Sequence, residues 1–389
     1  MTNHLRAYSK DKLILIIIAS ISIIVVGVWP LFVGMLAESM KFTIAQQGWI
    51  ISSESFGMVT GTALAICLSK SRHARRFILI SAVIMLLFNT LTVGVESLAM
   101  ILVFRFLTGL GAGTAYSLAV YHLGRMQDAD RSFGLTLALQ TAVFCAFAVV
   151  YPHIVSGLGQ DAAIHAIGAW FILLFVCSMF MSKKLAEPNN NNFHTESNDS
   201  DVCKTKNAAV IGLVGMTCLQ LAIYAVWGFI SNIGTAQGVS DADIGLAFGI
   251  GLIGGFPGAV LASVMGARYG RVPFIFLGSM MVLASIAMLA NGPDSLASLA
   301  FAIFVMNVGW MLALSYYMGL VAANDRTGVP TSLIGIIQIT GVTLAPALVA
   351  LATTGNDLTP IFTIAFISCL VSAFLPLAIR KNKLVARSA

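Results

Sequence analysis

Glu54 and Arg105 are two residues of opposite charge that lie inside long apolar segments of the sequence. Each lies roughly 10–12 Å from the outer end of its segment, at a rise of about 1.5 Å per helical residue. A charge at that depth in a bilayer costs at least ~2.5–3.5 kcal/mol, so it usually pairs, faces water or performs a function. Burial favours the protonated form of a carboxyl group, and a nearby arginine favours the ionised form. We therefore predict that Glu54 binds a proton and that Arg105 is its partner.

Two other interpretations of these charges remain open. In the first, Glu54 and Arg105 form a fixed ion pair that only holds two helices together. In the second, the two residues never meet and Glu54 extends to the outer surface.

Neutral polar and aromatic side chains form a second group of candidates. Four of them recur at a spacing that places them on one helix face: Gln220, Tyr224, Trp227 and Ser231. Others lie in further apolar segments: Tyr116, Gln140, Asn307, Trp310 and Gln338. Such a face does not suit lipid, which predicts a solute cavity with aromatic walls and neutral hydrogen-bonding groups. Hydrogen bonds between helices and aromatic belts at the interface are the alternative, and a kink or belt role is predicted for Trp29, beside Pro30.

The composition indicates that these residues lie in a membrane protein. Hydrophobic residues are 58% of the 389-residue chain and charged residues are 10%, against about 25% charge in ordinary soluble domains. A soluble enzyme, a nucleic-acid-binding protein and a disordered protein are thereby excluded. We predict an all-α integral membrane protein with twelve membrane-spanning helices. These spans are expected at 13–35, 46–69, 77–95, 99–121, 134–157, 162–182, 208–232, 244–266, 273–290, 296–320, 329–352 and 360–379.

Residues 183–207 are polar, contain a run of asparagines and predict a flexible linker between a six-helix bundle at 1–182 and another at 208–389. If the N-terminus is cytoplasmic, 20 of the 22 Lys and Arg residues lie on the inside, Lys41 lies outside and Arg105 lies within a span. The positive-inside rule therefore predicts cytoplasmic N- and C-termini and a cytoplasmic linker. The first apolar stretch is longer than the roughly 7–15 residues of a signal-peptide core, which predicts a retained helix.

The two halves also share local patterns. Arg72 and Arg75 follow the second predicted span, and Arg268 and Arg271 follow the eighth span 196 residues later. The glutamines of spans five and eleven are 198 residues apart. These offsets predict a duplicated six-helix unit, which is the usual architecture of secondary transporters.

The chain resembles the major facilitator superfamily over nearly its whole length. Its fourth span reads Arg105-Phe-Leu-Thr108-Gly109-Leu-Gly111, which is similar to the family motif R-x-x-x-G-x-G of proton-coupled members. The resemblance implies two six-helix bundles and transport by alternating access. The glycine-proline motif that drug/proton antiporters carry in span five is missing, which weakens the multidrug-exporter interpretation.

The loops after spans two and eight are similar to the family motif G-x-x-x-D-R-x-G-R. Arg268, Gly270 and Arg271 match it in the second half, and Arg72 and Arg75 remain in the first half, while the acidic residue is replaced in both. The resemblance implies a gating role for these loops.

We thus predict a secondary active transporter that moves a small organic solute across the bacterial inner membrane, with proton coupling. Drug or metabolite efflux by proton antiport is the alternative, symport and antiport both remain open, and a non-transporting membrane sensor is a further, less favoured interpretation. The expected partners are a small organic solute, protons and the lipid bilayer. No nucleic acid, cofactor, metal ion or enzymatic activity is expected, and the protein is expected to be a monomer.

Overall fold

A computed structural model describes residues 2–69, 73–126, 129–182, 208–266, 268–325 and 329–378. Within these ranges the chain forms fifteen α-helices and no β-strand. The predicted linker at 183–207 lies outside the described residues, as does Arg72. The all-α prediction is confirmed for the part of the chain that the structure describes.

The helices follow one another with short connections. Seven precede the predicted linker: α1 (Thr2–Ser22), α2 (Ile24–Met40), α3 (Ile44–Leu68), α4 (Ala74–Leu91), α5 (Leu98–Leu123), α6 (Ala129–Leu158) and α7 (Gln160–Met179). Eight follow it: α8 (Ala208–Trp227), α9 (Ile230–Thr235), α10 (Asp241–Leu252), α11 (Gly255–Met265), α12 (Val272–Ala290), α13 (Leu296–Asn324), α14 (Val329–Ala352) and α15 (Thr359–Phe374).

Ten helical segments in the described residues are long and apolar enough to cross a membrane. One of them, Ser9–Met40, covers both α1 and α2, and another, Asp241–Met265, covers α10 and α11. Two further apolar helices, Ile336–Ala352 and Thr359–Phe374, are shorter than the others and lie where spans eleven and twelve are predicted. The protein is therefore a multi-pass membrane protein, and the number of twelve spans stays a prediction.

Short polar side chains mark where several of these helices begin. The Ser240 hydroxyl accepts the backbone N–H of Asp243 at the start of α10, and Ser295 and Ser298 form a capping box at the start of α13. These contacts satisfy backbone donors that have no partner inside the helix. Before α15, the Asp357 carboxylate accepts the backbone N–H of Thr359, and this hydrogen bond lowers the pKa of Asp357.

The chain divides into two compact units. Unit 1 consists of Met1–Phe32 and Ser53–Asp201, and unit 2 consists of Val33–Ser52 and Val202–Ala389. Residues 33–52 thus group with unit 2, whereas the sequence predicts an unbroken N-terminal bundle over 1–182. Small residues explain this grouping, because Gly34 lies against Ser231 in α9 and Gly48 lies against Pro346 and Ala350 in α14.

Glycines bring two helices of unit 1 into backbone contact. A methyl group at Gly57 in α3 would collide with the carbonyl oxygen of Phe106 in α5, and one at Gly61 would collide with that of Leu110. Since any larger side chain would push α3 away from α5, these positions require glycine for close packing.

Unit 2 repeats this arrangement with its own helices. Gly254, which directly precedes α11, lies against the carbonyl oxygen of Phe304 in α13, and Gly258 lies against that of Val308. The unit 2 glycines follow their unit 1 counterparts by 197 residues, and the facing carbonyls follow theirs by 198. This correspondence supports the duplicated unit that the sequence predicts.

Replacing Gly57 with alanine is expected to lower the melting temperature of the purified protein, because the added methyl group has no room beside Phe106. Overpacking of this kind typically costs about 1–3 kcal/mol. Gly254→Ala is expected to have an effect of similar size. The control is Gly157→Ala in α6, where a methyl group meets no neighbour within 4 Å. Equal melting temperatures for all three variants in a thermal unfolding assay would contradict the packing account.

Candidate functional site

The two charged residues predicted from the sequence meet inside unit 1. Glu54 in α3 is 2% exposed and Arg105 in α5 is fully buried. The Arg105 Nη1 atom lies 3.9 Å from the Glu54 Oε1 atom. This separation is too long for a hydrogen bond, so the attraction between the two side chains is electrostatic. The interpretation in which Glu54 extends to the outer surface is therefore wrong.

Neutral oxygen atoms hold the Arg105 guanidinium in place. Its Nη2 atom donates to Asn89 Oδ1 at 3.1 Å, to Thr92 Oγ1 at 3.2 Å and to Thr108 Oγ1 at 3.4 Å. Asn89 is itself anchored, because its Nδ2 atom donates to the carbonyl oxygen of Ile164 in α7 at 2.8 Å. Arg105 thus has three hydrogen-bonding partners that do not depend on Glu54.

The Nε and Nη1 atoms of the guanidinium are less well hydrogen-bonded than Nη2. Among the described residues, neither Nε nor Nη1 of Arg105 has a hydrogen-bond acceptor. The Phe32 ring lies 5.0 Å from the guanidinium carbon, within the range of a cation–π interaction. Glu54 is the carboxylate that faces this side, so removing its charge would leave the cation with neutral partners alone.

Trp29 is a site residue that the sequence interpretation missed. Its indole Nε1 atom donates to Glu54 Oε2 at 3.1 Å, and the residue is 1% exposed. A residue in an interfacial belt would face lipid or water, so the predicted belt role is wrong. Trp29 lies on α2 and contacts Oε2 of the carboxylate, whereas Arg105 lies nearest to Oε1.

The R-x-x-x-G-x-G motif of α5 has a direct structural explanation. Arg105 carries the charge, and Gly109, one turn later, lies directly against the backbone carbonyl of Glu54. Gly111 faces α4, where a methyl group would meet the carbonyl oxygen of Ser81 at 2.8 Å. The glycines thus bring α3 and α4 close enough to α5 for their side chains to surround the arginine.

Unit 2 has an apolar contact at the position that corresponds to the ion pair. Gly251 lies three residues before Gly254, as Glu54 lies three residues before Gly57, and Ile303 precedes Phe304 as Arg105 precedes Phe106. A methyl group at Gly251 would collide with the Ile303 side chain. The same place in the duplicated fold is therefore filled by glycine and isoleucine in unit 2.

The residues that surround Arg105 are replaced in the same way. Gly309 in α13 packs against Gly278 and Val282 of α12, which aligns α12 with α4. The counterparts of Asn89, Thr92 and Thr108 are then three apolar residues that are at most 1% exposed, namely Ile286, Leu289 and Met306. Since unit 2 packs without any of these polar groups, the fold does not need a charged cluster at this position.

Four of the predicted cavity residues come together in unit 2. The Trp310 Nε1 atom donates to Gln220 Oε1 at 2.7 Å. The Tyr224 ring meets Trp310 edge to face at 5.6 Å between ring centroids, and the Trp227 ring lies 6.1 Å from Trp310. Trp227 also packs on Phe248 at 4.7 Å. These residues form one cluster in which Trp310 contacts the Gln220 amide, and we call it the aromatic cluster below.

The other predicted cavity residues are placed differently. Helix α8 ends at Trp227, and Ser231 belongs to the separate helix α9. The prediction of one helix face is therefore wrong for Ser231, because the chain turns at Gly228 and Phe229, while the other three residues share α8. Asn307 is buried and donates to the carbonyl oxygen of Ile303 in its own helix.

Three further candidates lie apart from the aromatic cluster. Gln338 donates to the Met318 sulfur at 3.4 Å in unit 2. Tyr116 and Gln140 are half-buried and belong to unit 1. Their predicted part in a solute cavity stays a prediction.

The predicted gating-loop residues lie in different surroundings. Arg75 donates to the carbonyl oxygen of Met179 at 2.6 Å, so it satisfies the C-terminal end of α7 within unit 1. Arg268 and Gly270 are exposed, and Arg271 is half-buried immediately before α12. Gly270 has φ +80°, a left-handed conformation that favours glycine. The gating role stays a prediction.

Comparison with known proteins places these features in a family. Residues 14–211 match the sequence profile of the Major Facilitator Superfamily. A search of curated protein sequences finds no significant match. Two crystal structures of the nucleoside transporter NupG, one of them a mutant, are similar to this chain, with TM-scores of 0.75 and 0.74 at 15% and 16% identity. They cover 95% of this chain, which covers 99% and 98% of theirs.

A bacterial homologue of the human lysosomal transporter Spinster, in an inward-facing and unoccupied conformation, also has a similar structure. Its TM-score is 0.67 at 12% identity, and the alignment covers 95% of this chain and 94% of that one. Identities this low show a shared fold.

The contribution of the ion pair to stability can be tested by replacing Glu54 and Arg105 with the glycine and isoleucine that unit 2 has at the corresponding positions. Glu54→Gly alone leaves a buried arginine without its carboxylate, and breaking a buried pair in this way costs about 3–5 kcal/mol. Adding Arg105→Ile is expected to regain part of the lost melting temperature, because the uncompensated charge is removed. Thermal unfolding of both single variants and of the double variant measures this. Strictly additive losses would show that the two side chains do not interact.

Proposed function

The chain belongs to the Major Facilitator Superfamily, and on this basis we propose that it is a secondary active transporter of the bacterial inner membrane that moves a small organic solute by alternating access and couples this movement to protons. Family and fold together indicate a membrane solute transporter rather than an enzyme. The solute, the coupling ion and the direction of transport are the proposed part.

The observation that carries the proton coupling is the difference between the two units. Glu54 and Arg105 form a buried pair in unit 1, while glycine and isoleucine fill the same position in unit 2. Burying an ion pair is often no better for stability than apolar packing of similar volume, and unit 2 shows that apolar packing suffices here. The ion pair at this position of unit 1 is therefore better explained by a function than by a contribution to the stability of the fold.

Proton binding by Glu54 can change the charge of this pair without displacing Arg105. The hydrogen bonds of Arg105 to Asn89, Thr92 and Thr108 do not involve Glu54. Protonation of Glu54 removes the attraction across 3.9 Å and leaves Arg105 as an uncompensated cation. Two states of unit 1 that differ by one charge respond differently to a membrane potential and to a charged solute, which allows proton binding to bias alternating access.

The aromatic cluster of unit 2 supports the proposed solute class. Its rings offer flat apolar surfaces, and Gln220 supplies an amide beside them. Binding sites for small organic molecules combine such walls with a few polar groups. The structural neighbour named as a nucleoside transporter is consistent with a ring-containing solute that carries hydrogen-bonding groups.

Drug or metabolite efflux by proton antiport is the second candidate function. The R-x-x-x-G-x-G motif around Arg105 favours it, while the missing glycine-proline motif in α6 favours uptake by symport. A non-transporting sensor on a transporter scaffold is the third candidate, and no flux of any bound solute would support it.

Proton coupling predicts a flux that responds to an imposed pH gradient. A solute is first identified by thermal-shift screening of the purified protein against metabolites and drugs, and its flux is then measured in proteoliposomes. Glu54→Gln is expected to bind the solute and to lose the response to the gradient, because the amide cannot bind a proton at physiological pH. The control is Glu96→Gln, which replaces an exposed glutamate between α4 and α5 and is expected to behave as the wild type.

The direction of the gradient response separates the two transport candidates. Solute that accumulates on the side toward which protons flow indicates symport. Solute that accumulates on the opposite side indicates antiport. A Glu54→Gln variant with the pH-gradient dependence of the wild type would refute the coupling role of Glu54.

The aromatic cluster predicts a second effect on the same identified solute. Trp310→Phe keeps a ring but loses the N–H that bonds Gln220, and is expected to weaken solute binding about tenfold. The lost hydrogen bond orients the Gln220 amide, and one hydrogen bond contributes ~0.5–1.5 kcal/mol, of which the upper end corresponds to about tenfold. Trp170→Phe, at a half-buried ring that packs on Phe147 in unit 1, is the control. Unchanged affinity in Trp310→Phe would place the solute elsewhere.

A further inference from the structure

Helix α2 contacts both members of the ion pair over a single turn. Trp29 donates to the Glu54 carboxylate at 3.1 Å, and the Phe32 ring lies 5.0 Å from the Arg105 guanidinium. Pro30 lies between them in the sequence. Because proline has no backbone N–H to donate, a helix bends more easily at this point.

The chain passes between the two compact units next to these contacts. It leaves unit 1 after Phe32 and returns to it at Ser53, directly before Glu54. The residues in between, Val33–Ser52, group with unit 2. In the sequence, the α2 contacts and Glu54 therefore lie close to the two ends of Val33–Ser52.

We propose that Trp29 is a positioning residue for the proton site, and that its hydrogen bond to Glu54 links the protonation state of this carboxyl to the conformation of α2 at Pro30. This inference rests on the proposed proton binding by Glu54. An N–H donor bonds an ionised carboxylate more strongly than a neutral carboxyl group. The hydrogen bond from Trp29 is thus stronger when Glu54 is charged and weaker when Glu54 takes up a proton.

Among the described residues, few other groups that titrate surround the pair. Arg105 faces Glu54 from α5, and the Tyr151 hydroxyl of α6 interacts electrostatically with Arg105. The contributions of α4 are the neutral side chains of Asn89 and Thr92. From α2 the contacts are the neutral rings of Trp29 and Phe32.

Unit 2 contains a matched tryptophan at the position that corresponds to Trp29. The sequence Val226-Trp227 repeats Val28-Trp29 at an offset of 198 residues, which is the offset of the duplicated helices. The Trp227 ring packs on Phe248 and Trp310. Trp227→Phe is therefore the control for Trp29→Phe, since both remove an indole N–H and keep a ring.

The inference is tested by tryptophan fluorescence of the purified protein during a pH titration without any solute. The chain has five tryptophans, so the contribution of Trp29 is obtained by difference. The wild type is expected to show a pH-dependent emission change that loses most of its amplitude in both Trp29→Phe and Glu54→Gln, and keeps it in Trp227→Phe. Full amplitude in Trp29→Phe or in Glu54→Gln would overturn the proposal.

A second readout is the pH dependence of solute flux in proteoliposomes. Loss of the indole donor favours the protonated carboxyl, so Trp29→Phe is expected to shift the pH midpoint to higher pH by about one unit, a tenfold change in proton affinity. Trp29→Tyr supplies an O–H donor and is expected to restore part of the shift. Melting temperatures establish that each variant is folded. The comparison of Glu54→Gln with the wild type tests the same link while Trp29 is left unchanged.

The two proposals fail in different ways. If the fluorescence change depends on both Glu54 and Trp29 while flux does not respond to the pH gradient, Trp29 positions a proton site and the proposed coupling is wrong. If flux depends on Glu54 while Trp29→Phe alters neither fluorescence nor the pH midpoint, the inference about Trp29 is wrong and the proposed function stands.

Discussion

The arrangement of unit 1 depends on the cost of keeping a charge away from water. Arg105 is fully buried, and an arginine cannot lose its proton at accessible pH. Its charge must therefore be met by the protein. Five side chains interact with this charge, namely Asn89, Thr92, Thr108, Glu54 and Phe32. The glycines of α3 and α5 bring the helices close enough for these contacts to form. A single buried cation thus accounts for the identity of residues on four helices.

The two units supply an internal comparison. The glycine contacts between α3 and α5 recur between α11 and α13, so the scaffold is shared. The polar residues around Arg105 are replaced in unit 2 by isoleucine, leucine and methionine. Unit 2 instead contains Gln220, Tyr224 and Trp310, which contact one another. The shared scaffold fits a division of tasks, in which unit 1 binds the proton and unit 2 contributes aromatic surfaces for the solute.

Much of the fold was predictable from the sequence because the bilayer imposes strong rules. Long apolar segments predict helices, and the helices found in the described residues lie close to the predicted segments. Glu54 and Arg105 were identified by the rarity of charge inside such segments. Trp29 was misjudged, since an indole near a helix end is equally typical of an interfacial belt, and only its contact with Glu54 decides its role. The break after Trp227 also escaped prediction, because helical spacing alone does not show that a chain turns at Gly228.

The proposed coupling requires that Glu54 exchanges a proton inside the membrane while Arg105 remains charged and fixed. The most direct measurement is pH-difference infrared spectroscopy on the protein reconstituted in lipid, with Glu54→Gln as the reference. A carbonyl stretching band of a protonated carboxyl group is expected to appear as the pH is lowered through the range in which transport changes. This band should be absent in Glu54→Gln. A spectrum in which Glu54 stays ionised across that range would contradict the account and leave the pair as a fixed structural contact.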